Sequence, residues 1–438
     1  MAKKFYIETY GCQMNELDSE KIAGSLRHEG MEPASDATKA DVLILNTCSI
    51  REKAVQKVYS RLGEIGKHQR QNKELVVGVV GCMAQLEGGR ILEKAPAVKV
   101  IAGPQKSRAM PALIELAAKS SKPAIDLRRD DDPEPLETEH VLRESSWRAS
   151  LTISEGCNRK CSFCVVPATR GRERNRGSEN IAREVENLVA QGYWEVVLLG
   201  QTVNSYKDPS RKEITFARLL RRLVQIEGLK RIRFTSPHPS DFSDDLLDLM
   251  VSYPQICNHI HLPVQSGSSR ILRLMRRGYA RKYFLELMEK IKSASRPIAV
   301  STDIIVGFPG ETEADFKETL SLMAEVQFDG IFSFKYSPRP NTTALDLPDE
   351  VPEAEKGRRL TVLQEQQKLI QYNLNAAYVD QELEILADGR AKNRYALCGR
   401  TTNNKIVNFD GPETLIGQCV PVKITGFSAN SLKGIWIH

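Results

Sequence analysis

Between residues 147 and 378, short apolar strands alternate with amphipathic helical segments, and this rhythm constrains the fold more than any other feature. It repeats about six times, and strands that alternate with helices build parallel sheets. The predicted strands are Ala149–Ser154, Glu195–Leu199, Arg231–Thr235, His259–Leu262, Ile298–Val306 and Gly330–Tyr336. Because a closed TIM barrel needs eight such units, we expect an open, partial TIM-like barrel.

Segments of different character flank this region. In residues 1–120, amphipathic helices separate further predicted strands, which indicates a small parallel α/β sheet; these strands are Lys4–Thr9, Val42–Leu45, Leu75–Val80 and Val98–Ile101. Residues 121–144 are charged and contain proline, so we interpret them as a linker. Residues 379–438 have short strands separated by Gly, Asn and Asp, which predicts a small antiparallel β-barrel. The barrel region between them is predicted to span 145–378.

Composition narrows the functional classes. Apolar residues make up 41% of the chain and charged residues 27%, which is typical of a soluble globular protein. No apolar run reaches the roughly 18 residues of a membrane span, and the start of the chain lacks the apolar stretch of a secretion signal. Nine cysteines in a chain of this kind indicate reduced thiols or metal ligands rather than disulfides. The net charge of +6 permits a polyanionic partner without requiring one.

Cys157, Cys161 and Cys164 form a compact motif directly after the first strand of the predicted partial barrel. Three thiolates at C-x3-C-x2-C spacing can hold three irons of a 4Fe-4S cluster, whereas full ligation needs four cysteines. The iron without a cysteine then keeps an open coordination position, just as a catalytic zinc ion keeps one coordination position open for a ligand. A structural zinc site is the alternative, but neither His140 nor Cys257 stands at the spacing of a fourth ligand.

Cys12, Cys48 and Cys82 are far apart in sequence, yet each follows a predicted parallel strand by a few residues. The carboxyl ends of parallel strands share one edge of an open α/β sheet, and ligands bind at that edge. We therefore predict that these thiols converge on a second cluster with an open iron; buried core thiols are the alternative. The remaining cysteines, Cys257, Cys398 and Cys419, have no such arrangement and are interpreted as structural.

Both triads and the β-rich tail closely resemble the radical-SAM methylthiotransferase family over essentially the whole chain. The segments Gly11–Asn15, Asn46–Ala54 and Gly81–Gln85 look like the branch that acts on N(6)-dimethylallyladenosine of tRNA. Branches that act on threonylcarbamoyladenosine or on a ribosomal-protein aspartate typically differ around the first two cysteines. One departure is Ala168, where the family often carries tyrosine.

The resemblance implies a methylthiolation at position 37 of tRNA anticodon loops, giving 2-methylthio-N(6)-dimethylallyladenosine. Methylthiolation of threonylcarbamoyladenosine or of the protein aspartate stays open as an alternative. The implied cofactors are two 4Fe-4S clusters and S-adenosylmethionine (SAM), with all six cysteines of the triads catalytic and the tail a TRAM domain. The implied partners are tRNA, an electron donor such as flavodoxin or ferredoxin, and a sulfur or cluster-assembly carrier. We expect a cytoplasmic monomer without a membrane partner.

Loops that follow the strands of a partial barrel should line its cofactor pocket. The residues predicted to bind SAM are Phe163, Gly200, Gln201, Asn204, Ser236, Gln265, Asp303 and Gly307. Ordinary turn chemistry is the alternative for any one of these loops. His238 stands between two prolines, and a structural role is the default for such a histidine.

Two arginine-rich stretches are candidates for contact with RNA phosphates. The predicted RNA-binding residues are Arg170, Arg172, Arg270, Arg273 and Arg277, of which the last three fall on one face if the segment is a helix. A solvated helix face is the alternative. An anticodon loop suits such a surface because it exposes a splayed base for chemistry.

Overall fold

The computed structural model describes residues 2–49, 52–69, 72, 74–129, 140–392 and 394–437. Its helices are α1 (Gln13–His28), α2 (Glu52–Gln69), α3 (Cys82–Glu87), α4 (Arg90–Lys94), α5 (Met110–Lys119), α6 (Val166–Arg170), α7 (Ser178–Ala190), α8 (Phe216–Leu223), α9 (Asp244–Ser252), α10 (Ser269–Leu274), α11 (Arg281–Lys292), α12 (Glu313–Val326) and α13 (Glu353–Ala376). Its strands are β1 (Lys4–Tyr10), β2 (Glu32–Pro33), β3 (Val42–Thr47), β4 (Val76–Gly81), β5 (Val98–Ala102), β6 (Ala124–Asp126), β7 (Arg148–Thr152), β8 (Ser154–Glu155), β9 (Arg174–Asn175), β10 (Glu195–Leu199), β11 (Arg231–Phe234), β12 (His259–His261), β13 (Ala299–Val306), β14 (Gly330–Lys335), β15 (Glu382–Arg390), β16 (Leu397–Arg400), β17 (Ile406–Asp410), β18 (Cys419–Phe427) and β19 (Leu432–Trp436).

The N-terminal region is a parallel sheet with the strand order β2-β1-β3-β4-β5-β6. Helices cover both faces, so the first four residues of β3, Val42–Leu45, form an uninterrupted apolar run. Leu43 and Leu45 pack on the side of α2, whereas Val42 and Ile44 pack on the side of α1 and α5. The strand order reverses between β1 and β3, which is the switch point where doubly wound sheets bind ligands. The predicted parallel sheet is confirmed.

The central region contains six parallel strands in chain order. Strands β7, β10 and β11 form one three-stranded sheet, and β12, β13 and β14 form another. Ile232 of β11 joins the two sheets through the segment that leads into β12. Its N–H donates to Gln255 O at 2.8 Å, and its carbonyl accepts from Cys257 N at 3.0 Å. The edge strands β7 and β14 belong to different sheets, so the arrangement is the predicted open partial barrel. The observed strand ends fall within two residues of the predicted ones.

The C-terminal region is a closed barrel with the order β15-β16-β17-β19-β18. Its pairs are antiparallel except β17 with β19, which run parallel. The predicted small β-barrel is confirmed. It docks on the central region through Arg231, whose Nη2 lies 2.7 Å from Glu384 Oε1, and through Arg233, whose Nη2 donates to Thr401 O at 2.9 Å.

The segment interpreted as a linker is partly built into the N-terminal region. Ala124–Asp126 forms β6, at the edge of the first sheet beside β5. This segment also contains an acidic run at residues 130–134, which lies outside the described residues. From residue 140 the chain runs along α1, where the rings of His140 and His28 stack at 3.9 Å and Leu142 N donates to Glu20 O at 3.0 Å. Among the described residues, no helix is both long and apolar enough to cross a membrane.

Candidate functional site

One large cavity, about 2560 Å³ in volume, lies where the N-terminal sheet, the partial barrel and the C-terminal barrel meet. Its wall includes all six cysteines predicted as cluster ligands: Cys12, Cys48, Cys82, Cys157, Cys161 and Cys164. The structure thus brings together two triads that belong to different regions of the chain. Of the three other cysteines, only Cys398 lines the same cavity. Cys257 is buried elsewhere, and Cys419 lies in β18.

The first triad follows three neighbouring strands at the same level. Tyr10 pairs with Thr47, and Thr47 pairs with Gly81, so β1, β3 and β4 end in register. Cys12, Cys48 and Cys82 come one or two residues later, at the switch point of the sheet. All three cysteines therefore lie at the carboxyl edge of the sheet, on the wall of one cavity. Their convergence on one cluster stays a prediction.

Buried amides fix the loops that carry this triad. Asn46 Nδ2 donates to Asn15 O at 2.8 Å and to Ser19 Oγ at 2.9 Å, and Asn15 Nδ2 donates to Asn46 Oδ1 at 3.1 Å. Asn15 also accepts from the backbone N–H of Cys12 at 3.4 Å. Because every one of these buried polar groups has a partner, the end of β3 and the start of α1 are held in one arrangement.

Glycine precedes two of these cysteines because the amide network leaves no room for a side chain. A Cβ at Gly11 would lie 2.3 Å from Asn15 Oδ1. A Cβ at Gly81 would lie 2.5 Å from Asn46 Oδ1, and Gly81 also has φ of +92°, which other residues rarely adopt. The Gly-Cys pairs of the sequence are therefore a packing requirement of the strand ends.

The second triad lies in the loop after β8. Gly156 has φ of +80°, and a Cβ there would lie 2.1 Å from Arg172 O. Cys157 Sγ accepts from Arg159 N at 3.4 Å and lies 3.5 Å from Thr202 Oγ1. Burial raises the pKa of Cys164 to about 12. A bound metal ion deprotonates a coordinating thiol outright, so iron would hold this sulfur as a thiolate.

The donor sets fit iron–sulfur clusters. Within the described parts of the chain, no three His, Cys, Asp or Glu side chains have the geometry of a site for a single metal ion. A cubane binds each cysteine to a different iron atom, so its ligands need not meet at one point. Each triad is purely thiol and opens into the cavity, which suits a cluster with one iron accessible to a ligand.

Two arginines predicted to bind RNA lie inside the protein. Arg170 is 2% exposed; its Nη2 lies 2.6 Å from Asp18 Oδ2 and its Nη1 lies 3.0 Å from Glu155 Oε1. Burial raises the pKa of the Cys82 thiol, and the Arg170 guanidinium acts in the opposite direction. Neither the position nor the partners of Arg170 fit the RNA contact suggested by the sequence.

Arg277 is the second of these arginines, and it is 5% exposed. Its Nη1 donates to Cys161 Sγ at 3.4 Å and its Nη2 donates to Pro263 O at 2.6 Å. Helix α10 ends at Leu274, so Arg277 does not continue the helical face that its spacing from Arg270 and Arg273 predicts. The guanidinium contacts a predicted cluster ligand instead of facing solvent.

The other three arginines are exposed. Arg270 forms an ion pair with Asp315, and its Nη2 also donates to Gly310 O at 2.5 Å. Arg172 and Arg273 present their side chains to solvent. RNA contact stays a prediction for these residues.

Most residues predicted to bind SAM line the cavity: Phe163, Gly200, Gln201, Ser236, Gln265 and Asp303. Ser236 and Gln265 have φ of +58° and +77°, and such strained conformations in non-glycine residues cluster at functional sites. Asn204 and Gly307 are not among the residues that line the cavity. The Asn204 side chain holds the backbone of His238, and Gly307 N donates to Glu311 Oε2 at 2.6 Å.

A polar cluster on the barrel wall was missed by the sequence reasoning. Ser301 Oγ lies 3.0 Å from His259 Nε2 and 2.9 Å from His261 Nδ1, and His261 Nε2 lies 3.3 Å from Asp303 Oδ1. Burial lowers the pKa of His259 to about 3, so this ring is neutral. The alternation along β12 could have indicated the cluster, because residues 259 and 261 share one face of a strand.

Profiles of three families match successive parts of the chain. They are the Radical SAM superfamily at residues 151–323, the uncharacterized protein family UPF0004 at residues 4–103 and the TRAM domain at residues 376–437. A tRNA-2-methylthio-N(6)-dimethylallyladenosine synthase of Solibacter usitatus (strain Ellin6076) is 47% identical over 436 residues, covering 99% of this chain and 97% of that protein. The chain belongs to this synthase family. The synthase of Carboxydothermus hydrogenoformans is 44% identical, with 99% of each chain covered.

A solved structure supports the fold of this family member. The radical S-adenosylmethionine methyltransferase TsrM from Kitasatospora setae, with cobalamin and a [4Fe-4S] cluster bound, superposes with a TM-score of 0.55 at 16% identity. The match covers 78% of this chain and 77% of TsrM. In this member of the synthase family, the cavity lies where the three matched regions meet.

Proposed function

We propose that this protein is a tRNA methylthiotransferase that converts N(6)-dimethylallyladenosine at position 37 of anticodon loops to 2-methylthio-N(6)-dimethylallyladenosine. The observation that carries the proposal is the single cavity onto which both cysteine triads open. A reaction that must activate a base and deliver sulfur to it needs both centres within reach of one bound base. Membership of the synthase family supports the same substrate.

The cofactors of this proposal are two 4Fe-4S clusters and SAM. Cys157, Cys161 and Cys164 would hold the cluster that binds SAM, and Cys12, Cys48 and Cys82 would hold the cluster that serves sulfur transfer. When bound, these groups supply one-electron reduction, radical hydrogen abstraction, sulfur and a methyl group. The protein holds them in place and surrounds the reacting base with a wall that limits access of water.

The tRNA would enter where the partial barrel meets the C-terminal barrel. Three arginines from β7, β11 and β16 line the cavity there: Arg148, Arg233 and Arg400. Asp388 pairs with Arg148 and Arg400, and Glu195 pairs with Arg148 and Arg233, so two carboxylates leave one net positive charge among the three arginines. A cationic rim attracts the phosphates of the RNA backbone. A base splayed from an anticodon loop could then extend into the cavity. The exposed Phe332 on the cavity wall offers an apolar surface to such a base. We infer that the protein acts in the cytoplasm as a monomer. A separate electron donor would supply it with electrons, and a separate carrier would supply it with sulfur.

The test is the nucleoside content of tRNA from cells that lack the protein. We expect loss of 2-methylthio-N(6)-dimethylallyladenosine and accumulation of the unthiolated nucleoside, measured by liquid chromatography with mass spectrometry. Expression of the wild-type protein should restore the product. Persistence of the product in the deletion strain would refute the proposal. Loss of a methylthiolated threonylcarbamoyladenosine or of a ribosomal-protein modification instead would favour the alternative substrates.

Single substitutions in purified protein should show that the two cysteine triads serve different steps of the reaction. Cys161→Ala is expected to abolish SAM cleavage, because it removes a ligand of the SAM-binding cluster. Cys48→Ala should keep SAM cleavage but stop methylthiolation, because its cluster serves only sulfur transfer. Cys419→Ala, in β18, is the matched control and should leave both reactions intact. Methylthiolated product from Cys48→Ala would remove the first triad from the mechanism.

A further inference from the structure

His238 is held rigidly at the wall of the cavity. Its backbone N–H donates to Asn204 Oδ1 at 2.7 Å, and its carbonyl accepts from Asn204 Nδ2 at 2.9 Å. Its ring Nδ1 accepts from Ser240 N at 3.2 Å. A neutral imidazole that accepts at Nδ1 carries its hydrogen on Nε2, so the tautomer is fixed by this turn.

The Nε2–H of His238 is a buried donor without a partner among the described residues. The side chain is only 6% exposed, yet it lines the cavity. An unsatisfied buried donor destabilises a fold, so such a group calls for a bound partner. The fixed ring cannot turn away without losing its bond to Ser240. A ligand in the cavity is therefore the expected acceptor.

The surroundings of His238 favour an anionic acceptor near the second triad. Its ring packs edge-to-face on Tyr279 at 5.8 Å, and the Tyr279 hydroxyl accepts from Arg277 Nε at 3.3 Å. Arg277 in turn contacts Cys161 Sγ. Arg159, paired with Asp241, is a second cation on this wall.

The charge state of His238 suits a donor rather than a cation. Burial, followed by the positive charges of Arg277 and Arg159, lowers the pKa of His238 to about 2. The ring therefore stays neutral over the physiological pH range and keeps the Nε2–H tautomer. A carboxylate acceptor would gain a charge-assisted hydrogen bond without competition from a titrating proton.

We propose that His238 donates its Nε2–H to the carboxylate of the methionine end of SAM, beside the cluster site of Cys161. This inference rests on the proposed function, because it needs SAM bound at the second triad. RNA phosphates are the other anions available to the cavity, but they would meet the exposed rim first. His238 is buried on the side of Arg277 and Cys161, so SAM is the occupant that its position favours.

Two substitutions distinguish the role of His238 in shaping the backbone turn from its role as a hydrogen-bond donor to SAM. In His238→Asn, the side-chain oxygen can accept from Ser240 N in an Asx turn, as Nδ1 does now, while the donor into the cavity is lost. In His238→Gln, the longer side chain places an amide N–H near the position of Nε2. If the residue only shapes the turn, His238→Asn should behave as wild type.

The experiment uses anaerobically reconstituted full-length protein. SAM affinity is measured by equilibrium dialysis, and the SAM-induced change in the electron paramagnetic resonance spectrum of the reduced cluster is recorded. For His238→Asn we expect the SAM Kd to rise about tenfold, as for loss of one charge-assisted hydrogen bond, with wild-type iron content and tRNA affinity. His238→Gln should bind SAM within about threefold of wild type, since a donor remains. His140→Asn, at the stacked His28–His140 pair on the N-terminal region, is the control and should change nothing.

Wild-type SAM affinity in His238→Asn would overturn the inference while leaving the proposed function standing. A loss of tRNA affinity without a change in SAM affinity would also overturn it, since the donor would then serve the RNA. Absence of any SAM-dependent spectral change in the wild-type protein would instead refute the proposed function, and the inference with it.

Discussion

Arg170 and Arg277 each place a buried guanidinium beside a cysteine of one triad, Cys82 and Cys161. Buried charges persist only when they are paired, and both arginines have several acceptors. The sequence suggested surface positions because arginine-rich stretches are usually solvated. No local pattern shows that Arg277 follows the end of α10, after Arg276 turns the chain with φ of +54°. The cysteine positions, by contrast, could be read from their spacing and strand context.

Replacing Arg277 should shift the reduction potential of the second cluster. Its hydrogen bond to Cys161 Sγ and its positive charge both favour the reduced, more negative cluster. In Arg277→Gln we expect a midpoint potential about 60 mV lower, equivalent to about 1.4 kcal/mol for one electron. The measurement is a redox titration followed by electron paramagnetic resonance, in protein whose first triad is replaced by alanine. Arg273→Gln, at an exposed position, should leave the potential unchanged; an unchanged value in Arg277→Gln would contradict this role.

At the scale of elements, the ends of β1, β3 and β4 are what assembles the first triad. The apolar runs of these strands predicted their existence and parallel pairing, because such runs are typical of sheets buried on both faces. Strand β6 was missed: Ala124–Asp126 is short and lies in a charged, proline-bearing stretch. The amide network of Asn15 and Asn46 was also missed, because residues 31 positions apart carry no shared local signal.

Gly81→Ala should disrupt the first triad. The new Cβ would lie 2.5 Å from Asn46 Oδ1 and 2.8 Å from Thr47 O, at a φ that alanine disfavours. We expect the protein to lose about four irons after reconstitution while the second cluster stays, because the changed loop no longer presents Cys82. Gly63→Ala in α2, where a Cβ meets nothing within 4 Å, is the matched control and should keep full iron content. Full iron content in Gly81→Ala would show that the strand end tolerates the change.

At the scale of the molecule, ion pairs join regions distant in sequence. Arg170 of the partial barrel pairs with Asp18 of α1, and Arg231 of β11 pairs with Glu384 of the C-terminal barrel. The order and type of the three folds were predictable, because each has its own periodicity. Their relative placement was not, since partners such as Arg231 and Glu384, 153 positions apart, leave no pattern in the chain.

Asp18→Ala should weaken the junction between the first two regions. It leaves Arg170 buried with fewer acceptors, and breaking a buried pair costs about 3–5 kcal/mol. The measurement is the first transition in urea denaturation, followed by circular dichroism. Glu286→Ala removes the exposed pair with Lys282 and should change stability by about 0.5 kcal/mol or less. Equal effects of the two substitutions would show that the junction does not depend on this pair.

The central claim is that one cavity holds two separate clusters. Its most direct test is iron and sulfide content, with electron paramagnetic resonance, of three anaerobically reconstituted proteins: wild type, Cys12→Ala/Cys48→Ala/Cys82→Ala and Cys157→Ala/Cys161→Ala/Cys164→Ala. We predict about eight irons in the wild type and about four in each triple variant. About four irons in the wild type, unchanged by replacing the first triad and abolished by replacing the second, would contradict the claim.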